Sequence, residues 1–365
     1  MGLEQVTDNL FAVWALTPGG AKLGRRLAEE LLSADFFISD KLAGPAGPIE
    51  KVNTFSSLAA AVEANFFKYR GHVFIFAAGI AIRVIAGLLK SKTLDPAVVV
   101  MDEKGLHAVS LLSGHIGGAN QLALTVSQIT GSVPVITTAT DVNHLPAIDV
   151  IAGNASLVIE NPGQIKRINM GFIQNKRMKI YDPYSLIHPC LPKALVSLCP
   201  CDDPCLDVFC SDAIQSVPRE TLIVRPVLLH LGIGCNRGTT SDEIISFVHK
   251  VLSKNKLSLI SVCRLASIVV KADETGLLDC AKTLGRELKF YSGDELRTVK
   301  NIKTPSKMAE KYLGVKSVCE AAAILSSDRG CLVVPKKIKG NVTLAAARTR
   351  PVCLSSEPDL VTGIT

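Results

Sequence analysis

The densest chemistry in this sequence lies in Ser113-Gly-His-Ile-Gly-Gly-Ala-Asn120. An apolar run precedes the segment and a helical pattern follows it, so it reads as a strand-to-helix turn. Ligands of open α/β sheets collect at such turns. Backbone N–H groups from Gly117 and Gly118 to Asn120, at the helix start, can hold an anion or a developing oxyanion. Glycines let a ligand come close to the main chain. His115 can act as base or acid near neutral pH. The plainer reading is a strained turn carrying a surface histidine.

Other segments could join it. Asp102 and Glu103 end a neighbouring strand. They could orient His115, or one could donate a proton from a raised pKa; solvated turn acids before Gly105 are the plainer reading. Thr140 and Asp141 close Thr137-Thr-Ala-Thr-Asp141, which suits polar ligand groups or a Ser/Thr turn. Arg83 is the only charge between Val73 and Leu89. Its guanidinium could clamp a substrate carboxylate with two hydrogen bonds, or snorkel along a helix surface.

Gly232-Ile-Gly-Cys-Asn-Arg-Gly238 resembles a dinucleotide fingerprint whose last glycine comes one residue late. As a loop helped by Arg237 and a helix start, it fits carboxylates or phosphates as well. Cys235 within it is a soft metal ligand or a small buried residue. Cys190, Cys199, Cys201, Cys205 and Cys210 are spaced irregularly and contain no Cys-x-x-Cys pair, which speaks against zinc or iron–sulfur binding.

Composition narrows the class. With 365 residues, 48% hydrophobic, the chain can build two or three cored domains. A net charge of +7 is mild at this length and suits small anions as well as nucleic acid. Aromatics are only 5%, so base-stacking platforms are scarce, and no basic run reaches five residues. Nucleic acid is therefore disfavoured. The start of the chain lacks a basic and apolar leader, and the most apolar stretch is short for a bilayer span. Eleven cysteines in a chain of this size read as free thiols of a reduced cytosolic protein. Absence of Gly-x-Ser-x-Gly, His-Glu-x-x-His and the P-loop pattern lowers serine-elbow hydrolases, zincins and P-loop enzymes.

The elements that must position these residues alternate. Strands are expected at Leu10–Leu16, Phe36–Ser39, Val73–Ala77, Ala97–Met101, His107–Leu112 and Val133–Thr137. Helices are expected at Lys22–Leu32, Leu58–Phe67, Gly79–Leu89 and Gly118–Ile129, with a Gly- and Pro-rich loop from Gly44 to Pro48. Continuous Val/Ile runs argue for strands buried on both faces of a mostly parallel sheet. Residues 151–226 hold one short helix within Ile159–Ile173 and read as a small middle domain or connector. Residues 227–365 form a second α/β unit, with a strand at Val227–Leu231 and a helix capped by Ser241. The expected architecture is thus two mostly parallel α/β domains, 1–150 and 227–365, joined by the middle segment.

Taken together, these segments resemble the cobalt-precorrin-5A hydrolase family of anaerobic cobalamin biosynthesis. The carrying blocks include Ala77-Ala-Gly-Ile80 with Arg83, Asp95-Pro-Ala-Val-Val-Val-Met-Asp102, Leu111 to Asn120 and Pro134 to Asp141. In the last domain they are Gly232–Cys235 with Arg237-Gly238, Pro305-Ser306, Gly314 to Ala323 and Val342 to Arg348. The resemblance implies opening of the ring A δ-lactone of cobalt-precorrin-5A and release of acetaldehyde to give cobalt-precorrin-5B. It implies His115 as base, Asp102 or Glu103 as its orienter or as acid, and peripheral carboxylates held by Arg83, Arg237 and Thr140. Asn120, Asp141, Cys235 and Glu320 join the expected substrate contacts, although Glu320 could equally cap a helix. A cleft between the first and last domains would suit a flat, bulky substrate. Electrons can flow into the macrocycle, so no added cofactor is expected; cobalt arrives with the substrate. An anionic corrinoid partner, no nucleic acid, no membrane, a homodimer and passing contact with other pathway enzymes complete the expectations. Competing readings are a carrier of the corrinoid or of cobalt, a dinucleotide-dependent oxidoreductase, and a methyltransferase of the same pathway.

Overall fold

The computed structural model describes residues 10–42, 52–91, 94–115, 117–143 and 145–350; the expected Gly44–Pro48 loop lies outside them. The chain divides into two compact units, 1–150 and 151–365.

The first unit runs β1 (Phe11–Ala15), α1 (Pro18–Glu30), β2 (Ala34–Ser39), β3 (Val52–Phe55), α2 (Leu58–Asn65), β4 (Gly71–Ile75) and α3 (Ala78–Ile85). It continues with β5 (Ala97–Met101), β6 (His107–Leu112), α4 (Ala119–Thr130), β7 (Val133–Val135), α5 (Ala139–Val142) and α6 (Ile148–Asn154). The strands form one sheet in the order β3-β2-β1-β4-β5-β6-β7. β1 to β5 are parallel, whereas β6 pairs antiparallel with β5 and carries β7 parallel to itself.

Both faces are covered, as the continuous apolar runs require. Val13, Ala15, Val73, Ile75 and Val99 point to one face, against Leu27 and Leu122. Ala12, Trp14, Phe74 and Val98 point to the other, against Val62 and Ile85. This is the two-residue period of a strand with neither face in water. His72 is fully buried on the second face, where it accepts from the Trp14 indole at 3.1 Å. Burial pushes its pKa down to about 4, so it is a neutral packing residue.

Some boundaries differ from the expected ones. α1 starts at Pro18, because the Thr17 hydroxyl accepts from the Gly20 N–H and proline suits the first helical position. α3 ends at Ile85, passing into a 3₁₀ turn before Leu89.

The second unit holds two sheets. The first comprises β8 (Leu157–Ile159), β9 (Met178–Tyr181), β10 (Val196–Leu198), β11 (Val208–Cys210) and β12 (Leu222–Pro226), with α7 (Ile165–Ile173). Its order is β10-β9-β11-β12-β8, parallel except for β8. Most of these strands have three residues, too few to show a period. Their loops are held by carboxylates instead. Asp182, for example, accepts the N–H groups of Leu186, Ile187 and His188.

The last sheet is built from β13 (Leu229–Cys235), β14 (Val262–Ile268), β15 (Glu287–Tyr291), β16 (Cys331–Lys339) and β17 (Val342–Arg348), in the order β15-β14-β13-β17-β16. Helices α8 (Ser241–Lys254), α9 (Thr275–Leu284), α10 (Gly293–Arg297), α11 (Lys307–Leu313) and α12 (Val318–Ser326) complete it. The N-cap of α8 is Thr240 rather than Ser241.

The expected glycine loop is also corrected. Gly232 and Gly234 lie inside β13, paired with Ala345 and Thr343 of β17. A Cβ on Gly232 would sit 1.8 Å from the Cys319 carbonyl oxygen of α12. The glycine is there to let a helix touch a strand, not to cradle a phosphate.

Candidate active site

The antiparallel turn into β6 decides where the site lies. Met101 pairs with Ala108 and Val98 with Leu112, so β6 ends beside the start of β5. The segments following β6 and β7 therefore share one rim, at the amino ends of β1, β4 and β5. Asp102, Glu103 and the start of α3 lie at the carboxyl ends of those strands, on the opposite rim. The residues expected to act together are thus divided between two edges of the sheet. A connection of residues 102–106 is too short for a parallel crossover, which needs about a dozen residues. That length was the signal in the sequence.

His115 sits on the first rim and is held from two sides. Its Nε2 lies 2.8 Å from Asp141 Oδ2 and 3.1 Å from Thr140 Oγ1. Its Nδ1 lies 3.4 Å from Asp149 Oδ2. The Asp149 side chain is only 5% exposed, that of His115 14% and that of Asp141 39%. Asp149 therefore anchors the ring from inside, while the Nε2 edge and Asp141 face outward. Hydrogen bonding to Asp149, then to Asp141, raises the imidazole pKa to about 9 against the opposing effect of burial. The raised value favours the protonated ring at neutral pH, the form in which His115 can give a proton.

The loop around it is tightly specified. A Cβ on Gly117 would fall 2.3 Å from the Ser113 side chain, and one on Gly114 would fall 2.7 Å from Asn120 Oδ1. Gly118 has φ +87°, a conformation open to glycine. Asn120 is buried: its Oδ1 accepts from Ser110, and its Nδ2 donates to Thr138 and Asp141 at 2.8 and 3.1 Å. It positions Asp141, and one of the two acceptor sites on its oxygen is taken by Ser110. Three of the N–H groups expected to bind an oxyanion are already used. Gly118, Ala119 and Asn120 donate to the carbonyls of His115, Ser113 and Gly114. Of that set only Gly117 has no such bond among the described residues.

Asp102 and Glu103 do other work. Burial raises the Asp102 pKa, but N–H bonds from His107, Leu106 and Lys104 outweigh it and hold the carboxylate low. It ties the β5–β6 turn. Glu103 accepts from the Thr17 hydroxyl at 2.7 Å. Neither orients His115; Asp141 and Asp149 do. Arg83 is exposed on α3 and belongs to the opposite rim, where α1 and α3 begin on either side of the β1/β4 switch point.

Three expected contacts lie in the second unit, and two are structural. Cys235 is buried, and burial raises its thiol pKa. Glu320 is fully buried and accepts the N–H groups of Lys303, Thr304 and Lys336, at 2.7, 3.1 and 2.8 Å. It joins two chain segments to α12. Glu320→Ala should leave those three donors unpartnered and cost on the order of 3 kcal/mol. Thermal unfolding checks this; an unchanged Tm would return Glu320 to the list of ligand contacts. Arg237 is exposed and paired with Asp273 at 2.6 Å. Every cysteine among the described residues is free, and no group of metal-ligating side chains occurs among them. No described helix is long and apolar enough to cross a membrane.

Two family models match the chain: the cobalamin synthesis G N-terminal model at residues 60–141, and its C-terminus model at residues 229–347. A cobalt-precorrin-5A hydrolase of Priestia megaterium is 32% identical over 92% of this chain and 94% of its own length. That of Salmonella typhimurium is also 32% identical, over 94% of this chain and 100% of its own. The chain belongs to the cobalt-precorrin-5A hydrolase family. A solved cobalamin biosynthesis protein G homolog from Sulfolobus solfataricus covers 94% of this chain at 23% identity, with a TM-score of 0.38. Of the His115 cluster, Asn120, Thr140 and Asp141 fall inside the N-terminal family match, whereas Asp149 lies beyond its end. Asp149 is the residue that sequence reasoning missed. It stands in the first turn of α6, where an acid is ordinarily explained by the helix dipole.

Proposed function

We infer that this chain hydrolyses cobalt-precorrin-5A, opening its δ-lactone and releasing acetaldehyde. The observation that carries the reading is identity across the whole length of a relative bearing that name. The His115 cluster supports it, because lactone opening needs a proton donor beside a carboxylate.

In this scheme a water bound by Asp141 attacks the lactone carbonyl and gives its proton to that carboxylate. The acyl C–O bond breaks, and the departing alkoxide takes the Nε2 proton of His115. Asp149 keeps the Nδ1 proton, so the neutral ring presents Nε2 as an acceptor. The ring then takes the proton of the new hydroxyl. The bond between the carbinol carbon and the macrocycle breaks, acetaldehyde leaves, and the electron pair passes into the conjugated ring. His115 ends as an imidazolium again, and Asp141 passes the proton it took from water to the solvent, which restores both groups. No added cofactor enters these steps, and the cobalt is part of the substrate. Cytoplasmic placement with a small anionic substrate belongs to the same proposal.

Coupling to alcohol dehydrogenase and NADH tests it. Many equivalents of acetaldehyde per chain are expected; release of one equivalent or none would reduce the chain to a carrier. In the same assay, Asp149→Asn should lose about 10- to 100-fold in kcat. It should also move the alkaline limb of activity down from about 9, since Asp149 is the main cause of the raised pKa.

A further inference from the structure

Several cations in the second unit face a carboxylate. Arg167 meets Asp207, Arg225 meets Glu160, Arg264 meets Glu287, and Arg348 meets Asp212. One group does not. Lys300, Lys303, Arg329 and Arg350 line a cavity of about 660 Å³, and none has an ion-pair partner among the described residues. No acid lines the cavity. Its apolar part comes mainly from Val299, Ile324 and Leu332. That volume lies within the range of small-molecule sites, roughly 300–1,000 Å³.

The local backbone is unusual as well. Asp328 and Arg329 follow α12 with φ of +50° and +58°, left-handed values that cost a non-glycine residue about 1 kcal/mol or more each. A Cβ on the next residue, Gly330, would fall 2.1 Å from the Arg348 carbonyl oxygen, so the turn is wedged against the end of β17. The turn sets Arg329 on the cavity. Four like charges sharing one concavity repel each other, and an anionic occupant removes that repulsion. Two guanidinium groups add planar forks that match carboxylates.

We propose that this cavity is a binding site for a polycarboxylate, seating the acetate- and propionate-bearing edge of a tetrapyrrole. The choice of tetrapyrrole rests on the function inferred above; the anion site itself does not. The apolar part receives the ring edge while the four cations meet its carboxylates. A polyphosphate would present similar charge, so the test includes both.

Uroporphyrin I, with eight carboxylates, is titrated by its own fluorescence into the full chain. Tripolyphosphate serves as competitor. Lys300→Glu combined with Lys303→Glu should weaken binding about 30-fold or more. Lys250→Glu combined with Lys282→Glu, the same charge change on exposed faces of α8 and α9, should weaken it less than about threefold. If the pocket pair does not fold, Arg350→Gln gives the same comparison with a smaller loss. No binding by wild type, or equal losses in both pairs, overturns the site; displacement by tripolyphosphate at equal concentration overturns a polycarboxylate as its occupant. With cobalt-precorrin-5A, the pocket pair should raise KM and leave kcat near wild type. An unchanged KM overturns the tetrapyrrole as occupant. A wild-type chain that binds uroporphyrin I through the pocket but never releases acetaldehyde overturns the function and leaves the site standing.

Discussion

His115→Ala abolishes acetaldehyde release in practice, lowering kcat by about a thousandfold while substrate still binds. General acid and base roles contribute about 10²- to 10⁴-fold, and the proposed scheme gives His115 both in turn. Full turnover by this variant would remove His115 from the chemistry. The wild-type pH profile carries a second expectation. The imidazole must be protonated to start the cycle, so kcat/KM should fall as pH rises through about 9. A resting base would give the reverse: activity rising through the ordinary histidine value of 6.5. Stability follows the same group. A pKa raised on folding stabilises fully below the unfolded value of 6.5, and the contribution is lost as pH climbs through about 9. His115→Ala should therefore melt lower than wild type at pH 6, by roughly 2–3 kcal/mol. The two should converge near pH 10.

Gly232→Ala is expected to be the most damaging small substitution in the second unit. Its new methyl would lie 1.8 Å from the Cys319 carbonyl oxygen and 2.8 Å from the Ala323 amide nitrogen. Both are main-chain atoms of α12, which cannot swing aside as a side chain can. Relief requires α12 to lift from β13, along with Ala321, Ala322 and Ala323, all buried. A loss of about 3–5 kcal/mol follows, a Tm lower by about 10 °C or no soluble protein. Gly238→Ala is the companion measurement. Gly238 has φ +74° and open space around it, so only the backbone penalty of about 1 kcal/mol applies. Equal effects at the two positions would mean that the segment works as one loop after all.

How much was legible turns on range. The His115 turn and the Thr137–Asp141 segment could be read because each follows a short apolar strand and carries its polar groups in consecutive positions. Their meeting could not, since pairing β6 with β7 brings Asp141 to His115 across 26 residues. Asp149 was hidden by its ordinary setting, a helix start after a Pro-Ala-Ile run, and only tertiary packing makes it a buried carboxylate beside an imidazole. The Gly232–Cys235 stretch misled because glycines for close packing and glycines for a phosphate loop look alike in one dimension. Asp102 and Glu103 were placed correctly at a strand end, but the hairpin that follows turns the chain away from them. In the middle segment, strands of three residues carry too little pattern to be seen, and the carboxylates that tie their loops lie far apart in sequence.

The reversal of β6 has a consequence for how the protein can vary. Every group around His115, from Ser110 through Asn120 and Asp141 to Asp149, comes from one stretch of 40 residues. The opposite rim is assembled from Thr17 to Glu103, by pairings that close long loops. Substitutions in β1 to β3 therefore reach the reacting groups only through overall stability. Those at His115, Asn120, Thr140, Asp141 and Asp149 act on the cluster directly, while β7 and α4 in the same stretch also build the sheet and its core. In the proposed scheme the reacting groups of this domain are one contiguous segment of chain, carried by the strand pair that ends the sheet.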